Sequence, residues 1–302
     1  MTTIGFLACE TTLPGAGARR RGDAYEHDLM VAALEPALAG ERIAMRVIDW
    51  EAPLAEFDGI AAVLLGTAWN YQDKAAAFLA RLEALAARGI AVHNPPAVVR
   101  WNLTKSYLGE LEAAGAPIIP SQFMNDVTAA DVRSAFAEFG CDRLVLKRQV
   151  GAGAEGQVLL HAADLPGPDW RFGRPAIVQP FLPAIETEGE LSFVFVAGEL
   201  SHALCKRAAK GDYRIQSLYG GIESRHEPSP QEAASARAVL AALPFDPPLY
   251  ARIDMVRHDR ALLLMEAELI EPYLYPEQGE RVGEHLARTL ARLHLPEEGS
   301  RP

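Results

Sequence analysis

The stretch LVLKRQVGAGAEGQVLLHA, residues 144–162, places three glycines in the spacing GxGxxG between two apolar segments. In a dinucleotide-binding domain the third glycine of this spacing opens a helix, whose N-terminus holds the pyrophosphate. Here the residues after the loop, QVLLHA, have the pattern of a strand. We therefore predict a strand, a glycine-rich lid and a second strand, with backbone amides that fold over a polyphosphate. Lys147 precedes the lid, where its ammonium group is expected to meet a phosphate.

Two other interpretations of this stretch stay open at this point. One is a surface hairpin in which the lysine is incidental. The other is a dinucleotide oxidoreductase, which rests on the glycine spacing alone and lacks the helix that the spacing requires.

The composition argues against several classes of protein, including nucleic-acid-binding, zinc-binding and membrane proteins. The chain has 302 residues, of which 29 are basic and 40 acidic, so its formal net charge is −11. A nucleic-acid partner is not expected, because neutralising phosphate backbones needs a basic face. The three cysteines lie far apart and show no metal-ligand spacing, so neither disulfides nor zinc are predicted. No basic leader and no long apolar stretch is found, and we therefore expect a cytoplasmic protein without a membrane partner.

The order of the predicted elements changes once along the chain. Residues 1–96 alternate strands with helices, which indicates an open parallel α/β layer. From residue 97 onward the pattern is α+β, with a helix over 102–114 and short strands that dominate after residue 175.

Carboxylates lie on an apolar predicted hairpin near the C-terminus. In LLLMEAELIEP, residues 262–272, Glu266 and Glu268 stand two apart and project from the same face of a strand. Asp254 ends the run LYARID, and residues 257–260 would form the turn between the two strands. Three hard oxygen ligands on neighbouring strands suit magnesium that holds nucleotide phosphates. A solvated sheet face would explain Glu268 equally well.

The stretch VQPFLPAIETEGE, residues 178–190, has the pattern of a nucleotide hinge. Its extended apolar part offers backbone N–H and C=O groups to an adenine edge, and Phe181 and Leu182 supply apolar walls. Glu190 follows a glycine turn and is expected to accept hydrogen bonds from ribose hydroxyls.

Two cations precede the acidic hairpin. Lys206 lies in a predicted strand and Arg214 in a glycine-flanked loop, and both are expected to clamp a phosphoryl group during its transfer. The eight histidines show no ligand spacing, and we find no Ser/His/Asp or Cys/His array for nucleophilic catalysis.

Taken in order, these motifs resemble those of the ATP-grasp ligases, and especially the short ligases related to glutathione synthetase and to the D-cycloserine-forming ligase. The resemblance covers nearly the whole chain. It implies an ATP-grasp fold, α/β plus α+β, in which two α+β subdomains clamp ATP. The implied units are an N-terminal Rossmann-like, pre-ATP-grasp substrate domain over residues 1–96, a central lid subdomain over 97–180 and a C-terminal subdomain with the metal site over 181–302.

Carried over motif by motif, the resemblance assigns roles to residues of this chain. WNLTKSYLGEL, residues 101–111, and the glycine stretch imply phosphate contacts. The nucleotide-binding residues that the resemblance implies are Lys105, Lys147, Gly151, Gly153, Gly156, Gln179, Phe181, Leu182 and Glu190. The metal ligands that it implies are Asp254, Glu266 and Glu268. From GDYRIQSLYGG, residues 211–221, it implies that Arg214 acts on the phosphoryl group, and we expect Lys147 and Lys206 to act with it.

The implied reaction is the activation of a carboxylate. ATP passes its γ-phosphoryl group to the carboxylate of a small amino-acid-like substrate, and an amine attacks the acyl phosphate, so that ADP and phosphate are released. The amine belongs to a second molecule or, in a ring closure, to the same one. Substrate contacts are expected from Gly220 and Gly221 and from GTAWNYQD, residues 66–73, which contains Trp69, Asn70 and Tyr71. Plain packing of Trp69, Asn70 and Tyr71 is the alternative that stays open.

One departure from the family concerns the substrate. Glutathione synthetase has an asparagine where this chain has Glu268, and the residues that follow it there help to hold a substrate carboxylate. Here Glu268 is followed by Leu-Ile-Glu271-Pro272. The additional negative charge is expected to bind metal more tightly and to reject an anionic acceptor, so glutathione synthesis is not expected.

The expected cofactors are ATP and Mg²⁺, with two ions. The expected partners are the carboxylate and amine substrates, and a homodimer is the default expectation for a cytoplasmic enzyme. The alternative function is a nucleotide-binding ATP-grasp module without ligase turnover, used as a sensor or scaffold.

Overall fold

The computed structural model describes residues 1–151, 156–209, 214 and 220–295. Its first sheet has four parallel strands in the order β2-β1-β3-β4. These strands are β1 (Thr2–Ala8), β2 (Ile43–Asp49), β3 (Ala62–Thr67) and β4 (Ala91–His93); helix α1 (Tyr25–Gly40) connects β1 to β2, and helix α2 (Ala75–Ala87) connects β3 to β4. The predicted open parallel α/β layer is confirmed.

The second sheet is antiparallel and has the strand order β5-β8-β6-β7. Its strands are β5 (Gln122–Met124), β6 (Arg143–Arg148), β7 (Val158–His161) and β8 (Ala176–Pro180), and helix α5 (Ala129–Phe139) precedes β6. Strand β7 comes after the glycine-rich loop, as predicted. The helix that a dinucleotide-binding loop requires does not follow, because Val158 to His161 pair with β6 instead.

The third sheet has five antiparallel strands in the order β11-β10-β9-β12-β13. The strands are β9 (Glu190–Val196), β10 (Glu199–Arg207), β11 (Ile222–His226), β12 (Tyr250–His258) and β13 (Ala261–Glu268); the helices in this part are α6 (Ala184–Thr187), α7 (Pro230–Ala241) and α8 (Val282–His294). The predicted hairpin is confirmed, since β12 pairs with β13 and His258 lies opposite Ala261 at the turn.

The single helix predicted over 102–114 is wrong in part. The structure has two helices, α3 (Pro96–Asn102) and α4 (Tyr107–Ala113), separated by four residues. Within this break the backbone N–H of Lys105 donates to the carbonyl oxygen of Gln149 at 2.8 Å. The chain leaves the helical path there because Lys105 is bound to the end of β6 rather than to the preceding turn.

Helix α8 connects the C-terminal part of the chain to the first sheet. It packs against α1 so closely that a Cβ atom at Gly283 would lie 2.3 Å from the carbonyl oxygen of Ala33. Leu286 and Leu290 of α8 join one hydrophobic core with residues of the first and third sheets. Among the described residues, the helices are all too short or too polar to cross a membrane.

Asn94 lies directly after β4 and is fully buried. Its Nδ2 donates to the carbonyl oxygens of Tyr250 at 2.9 Å and Leu269 at 2.7 Å, and its Oδ1 accepts from the backbone N–H of Leu249 at 2.8 Å. One side chain thus binds three backbone groups: one in β12, one in the residue before β12, and one in the segment after β13. The end of the first sheet is held against the hairpin by this amide.

We predict that Asn94→Ala lowers the free energy of unfolding by at least about 2 kcal/mol, because it leaves three buried backbone groups without their partner. Chemical denaturation monitored by circular dichroism measures the change. The matched control is Asn125→Ala, at an exposed position. A midpoint for Asn94→Ala equal to that of the control would contradict the assignment.

Candidate functional site

The third sheet has one charged face. In antiparallel pairs, residues directly opposite one another carry their side chains on the same side of the sheet. Lys206 lies opposite Glu190, and Asp254 lies opposite both Ser192 and Glu266. The charged face consists of Lys206 on β10, Glu190 and Ser192 on β9, Arg252 and Asp254 on β12, and Glu266 and Glu268 on β13. Intervening positions on these strands belong to a hydrophobic core on the other side.

Arg252 connects two carboxylates of this face. Its Nε lies 3.0 Å from Oδ1 of Asp254, its Nη2 lies 3.0 Å from Oδ2 of Asp254, and the same Nη2 pairs with Glu268. Its Nη1 donates to the carbonyl oxygen of Tyr273 at 3.0 Å. Burial alone would raise the pKa of Asp254, but Arg252 and Lys206 outweigh it and hold that pKa well below its usual value. Asp254 is therefore a permanent anion in this site.

Lys206 is the second buried cation of the charged face. Its Nζ pairs with Glu190 and lies 3.4 Å from Oδ2 of Asp254. Burial lowers the pKa of Lys206, but Asp254 and Glu190 outweigh burial and raise it above its ordinary value. Burial raises the pKa of Glu190 to about 7, against the opposing effect of Lys206. The lysine stays charged, whereas Glu190 titrates near neutrality.

Two further lysines approach the acidic hairpin from outside the third sheet. Lys105, in the break between α3 and α4, is buried; its Nζ donates to the carbonyl oxygen of Gly151 at 2.8 Å and pairs with Glu266. Lys147 lies on β6, and burial lowers its pKa, with Lys105 acting in the same direction and Glu266 in the opposite one. Lys105 thus pairs with Glu266, and Lys147, the lysine before the glycine loop, interacts electrostatically with the same carboxylate.

The segment predicted as the adenine hinge is only partly available to a ligand. Gln179 is buried, and its Nε2 donates to Oγ of Ser121 at 2.9 Å. The backbone N–H of Phe181 donates to the carbonyl oxygen of Arg143 at 2.9 Å, so this N–H is not offered to a base. Phe181 and Leu182 are both buried in one apolar cluster, as expected of an apolar wall.

The residues predicted to meet the substrate divide into two groups. Trp69 donates from Nε1 to the carbonyl oxygen of Glu271 at 3.2 Å, which directs it toward the end of the hairpin. Asn70 is bound within the N-terminal part, since its Oδ1 accepts from Nε1 of Trp50 at 2.6 Å. Tyr71 is buried and lines a cleft beside the hairpin.

This cleft has a volume of about 330 Å³, counting the space that is open to solvent. It is lined by Tyr71, Asn102, Leu103, Lys105, Gly151, Glu266, Ala267, Glu268, Ile270 and Glu271. Three carboxylates therefore share one wall. Burial raises the pKa of Glu268 to about 7, against the opposing effect of Arg252. Burial and the neighbouring charge of Glu268 together raise the pKa of Glu271 to about 8.

Several predicted site residues do not line this cleft or lie outside the residues that the structure describes. Gly153 lies outside the described residues. Arg214 is described and half-buried, but the residues on both sides of it are not described. Gly220 and Gly221 come directly before β11, and Gly156 directly follows the undescribed part of the glycine loop.

The donor chemistry of the hairpin fits magnesium. Asp254, Glu266 and Glu268 carry oxygen ligands at neighbouring register positions of two strands, and hard oxygen donors are what Mg²⁺ prefers. In the described part of the chain, no three such side chains already converge on one point. The carboxylates are instead held by Arg252 and Lys105, which supply positive charge to the same wall.

Sequence reasoning missed two residues of the site. Arg252 is two positions before Asp254 on the same strand, so the spacing argument that paired Glu266 with Glu268 would also have found it. Asn102 is the second residue; the sequence shows it only as part of the stretch WNLTKSYLGEL and indicates no role of its own. Its Nδ2 donates to the carbonyl oxygen of Ala267 at 2.8 Å, and its Oδ1 accepts from the N–H of Leu269 at 3.0 Å, a pairing that no sequence signal indicates.

The chain is similar in sequence and structure to known ATP-grasp proteins. Residues 4–94 match the family model described as the N-terminal domain of D-cycloserine synthetase DcsG. The cycloserine biosynthesis protein DcsG of Streptomyces lavendulae is 29% identical over 251 residues, which cover 77% of this chain and 83% of that protein. The crystal structure of D-cycloserine synthetase DcsG matches with a TM-score of 0.79 and 25% identity, over 96% of this chain and 99% of that chain. The ATP-grasp ligase PsnB, solved with a precursor variant, Mg and ADP, matches with a TM-score of 0.65 and 20% identity, over 96% and 98% of the two chains.

The parallel N-terminal sheet, the two antiparallel sheets and these likenesses give the chain the ATP-grasp fold. The likeness in sequence and fold to DcsG supports an ATP-grasp ligase. Its reaction class is the ADP-forming, ATP-dependent joining of a carboxylate to an amine.

We predict that Glu271→Gln stabilises the protein at high pH. The pKa of Glu271 rises from 4.5 to about 8 on folding, so the folded state retains a proton that the unfolded state loses between these values. The stability contributed by this group therefore falls as the pH rises through that window. Because an amide buries no charge, the variant is expected to have a Tm at least about 2 °C above the wild type near pH 8.5, without nucleotide or magnesium, and a smaller advantage near pH 5.

Thermal unfolding at the two pH values measures the effect. Glu277→Gln, at an exposed position close by in the chain, serves as the control. An advantage of Glu271→Gln that is the same at both pH values would contradict the predicted titration.

Proposed function

We propose that this enzyme forms an acyl phosphate on the carboxylate of a small amino-acid-like substrate and transfers the acyl group to an amine, with magnesium as cofactor. Where acid and amine belong to one molecule, the product is a ring. The observation that carries the proposal is the cleft in which Lys105 pairs with Glu266 on the charged face of the third sheet, with Lys147 in electrostatic range of the same carboxylate. Such a mixture of buried cations and oxygen ligands suits a triphosphate with its metal ion.

Nucleotide binding is assigned to the phosphate lysines Lys105 and Lys147 and to the glycine loop with Gly151, Gly153 and Gly156. The hydrogen bond from Nζ of Lys105 to the carbonyl oxygen of Gly151 supports this assignment, because it places Gly151, where the glycine loop begins, beside the same cleft. Gln179, Phe181 and Leu182 would contact adenine, and Glu190 the ribose. The apolar cluster around Phe181 and Leu182 supports an adenine wall.

Magnesium, proposed as two ions, would be held by Asp254, Glu266 and Glu268. When bound, it would neutralise charge on the phosphates of ATP. Of these ligands, Asp254 is the one that the chain keeps in the charged state, because Arg252 and Lys206 hold its pKa low.

The phosphoryl step would break the bond between the γ-phosphorus and the oxygen that bridges it to the β-phosphate, and form a bond from a carboxylate oxygen to phosphorus. Arg214, Lys147 and Lys206 would neutralise the charge on the transferred group. The amine nitrogen then attacks the acyl carbon, phosphate leaves with its oxygen, and the amine loses a proton. Trp69 and Tyr71 would border the substrate, with Gly220 and Gly221 near the Arg214 loop, whereas the bonds of Asn70 to Trp50 favour a structural role for Asn70.

The test is magnesium-dependent release of ADP and phosphate from ATP in pools of amino acids, simple acids and small amines. Release that requires one acid and one amine supports the ligase and identifies its substrates. Nucleotide binding without release in any pool would favour a binding module, and release of AMP would overturn the acyl-phosphate route.

We predict that Arg214→Ala reduces turnover by at least about a hundredfold, because it removes a charge that meets the phosphoryl group only during transfer. The affinity for ATP, measured by calorimetry, is expected to change little. Arg225→Ala, which removes an exposed arginine on β11, is the control. Turnover at the wild-type rate would remove Arg214 from the proposed clamp.

We predict that Glu266→Gln weakens the binding of ATP in the presence of magnesium by about tenfold or more, because it removes a charged ligand shared by metal and Lys105. Titration calorimetry with and without magnesium measures the effect. Glu227→Gln, at an exposed residue, gives the reference value. An unchanged magnesium dependence would place the hairpin outside the metal site.

A further inference from the structure

The carboxylates of the charged face and cleft differ in their partners. Glu190 pairs with Lys206, and Glu266 pairs with Lys105. Arg252 serves both Asp254 and Glu268. Glu271 is nine-tenths buried and lines the same cleft, yet within the described part of the chain no cation and no side-chain donor lies in hydrogen-bond contact with its carboxylate.

The backbone that carries Glu271 is held in place by three buried or half-buried side chains. The carbonyl oxygens of Leu269 and Glu271 accept hydrogen bonds from Asn94 at 2.7 Å and Trp69 at 3.2 Å. The hydroxyl of Tyr250 lies 3.1 Å from the carbonyl oxygen of Ile270 and 2.8 Å from that of His93, and its single proton is shared between the two. These donors come from separate elements of the first and third sheets. A carboxylate presented on a segment fixed in this way has the character of a pre-organised binding group.

Burying an ionised carboxylate without a partner is costly, and proteins normally supply a cation or a donor. In the empty cleft the cost appears as the raised pKa of Glu271, caused by burial and by Glu268. ATP cannot supply the missing charge because it is itself an anion. The magnesium ions are assigned to Asp254, Glu266 and Glu268. Among the groups that the structure describes and the ligands proposed for the cleft, this leaves the substrate as the source of a positive charge for Glu271.

We propose that Glu271 is the counter-ion of an ammonium group on the carboxylate substrate, so that the enzyme selects amino acids or their derivatives over acids without a protonated amine. This inference rests on the proposed function and names its substrate class. The ammonium nitrogen held by Glu271 is distinct from the attacking nitrogen, which must be neutral. Tyr71 lines the same cleft, and Trp69 binds the carbonyl oxygen of Glu271. Both would pack against the carbon chain between the two groups.

The experiment has a binding arm and a turnover arm. In the binding arm, calorimetry compares alaninamide, a cation without a carboxylate, with propionamide, its neutral counterpart, at pH 7. The proteins are the wild type, Glu271→Gln and the control Glu277→Gln, each with magnesium and a non-hydrolysable ATP analogue. In the turnover arm, ADP release is compared for alanine and propionate, with hydroxylamine supplied as a general amine that traps acyl phosphates.

The wild type and the control are expected to bind alaninamide about tenfold or more tightly than propionamide, and Glu271→Gln is expected to bind the two within about twofold. In the turnover arm the preference for alanine over propionate in kcat/KM is expected to disappear in Glu271→Gln through KM. Equal binding of the two amides by the wild type, or a preference that survives in Glu271→Gln, would overturn the proposal.

Two other outcomes are informative in different ways. A fall in kcat with the preference retained would make Glu271 a base for the attacking amine and would contradict the counter-ion role. Discrimination between the amides without ADP release from any acid would support the ammonium site and count against the proposed ligase reaction.

Discussion

The guanidinium group of Arg252 is the interaction on which the site depends. It is buried, it holds both oxygens of Asp254, it pairs with Glu268, and it reaches the carbonyl oxygen of Tyr273. Without it, two carboxylates on adjacent strands would face each other in a low-dielectric interior, which costs several kcal/mol. Arg252 therefore stabilises the acidic face of the β12–β13 hairpin, together with Lys206 beside Asp254 and Lys105 beside Glu266.

The second constraint is mechanical. Asn94 and Asn102 follow β4 and end α3, and both bind backbone groups of the hairpin or of the segment after it. The break between α3 and α4 then brings Lys105 to Glu266 and to the glycine loop. Elements that are far apart in sequence thus meet at one cleft because these two buried amides pair with backbone groups that would otherwise be left without partners.

Much of this arrangement follows from the sequence alone. The alternation of strands and helices predicted the parallel sheet, and the two-residue spacing of Glu266 and Glu268 predicted a shared face. Prediction failed where long-range contacts override local pattern. The helix over 102–114 is interrupted because the N–H of Lys105 binds Gln149, and the short edge strands β5 and β11 have no apolar run that would reveal them. Among the described residues, no cation or side-chain donor contacts the Glu271 carboxylate. That depends on which side chains fold against the hairpin, and no local pattern encodes it.

In the proposed reaction a carboxylate oxygen becomes part of the released phosphate. The direct measurement uses a substrate acid labelled with oxygen-18 in its carboxylate and follows the label by mass spectrometry after turnover with ATP. The acyl-phosphate route requires one labelled oxygen in each inorganic phosphate released alongside ADP. Unlabelled phosphate, or label recovered in AMP, would contradict it.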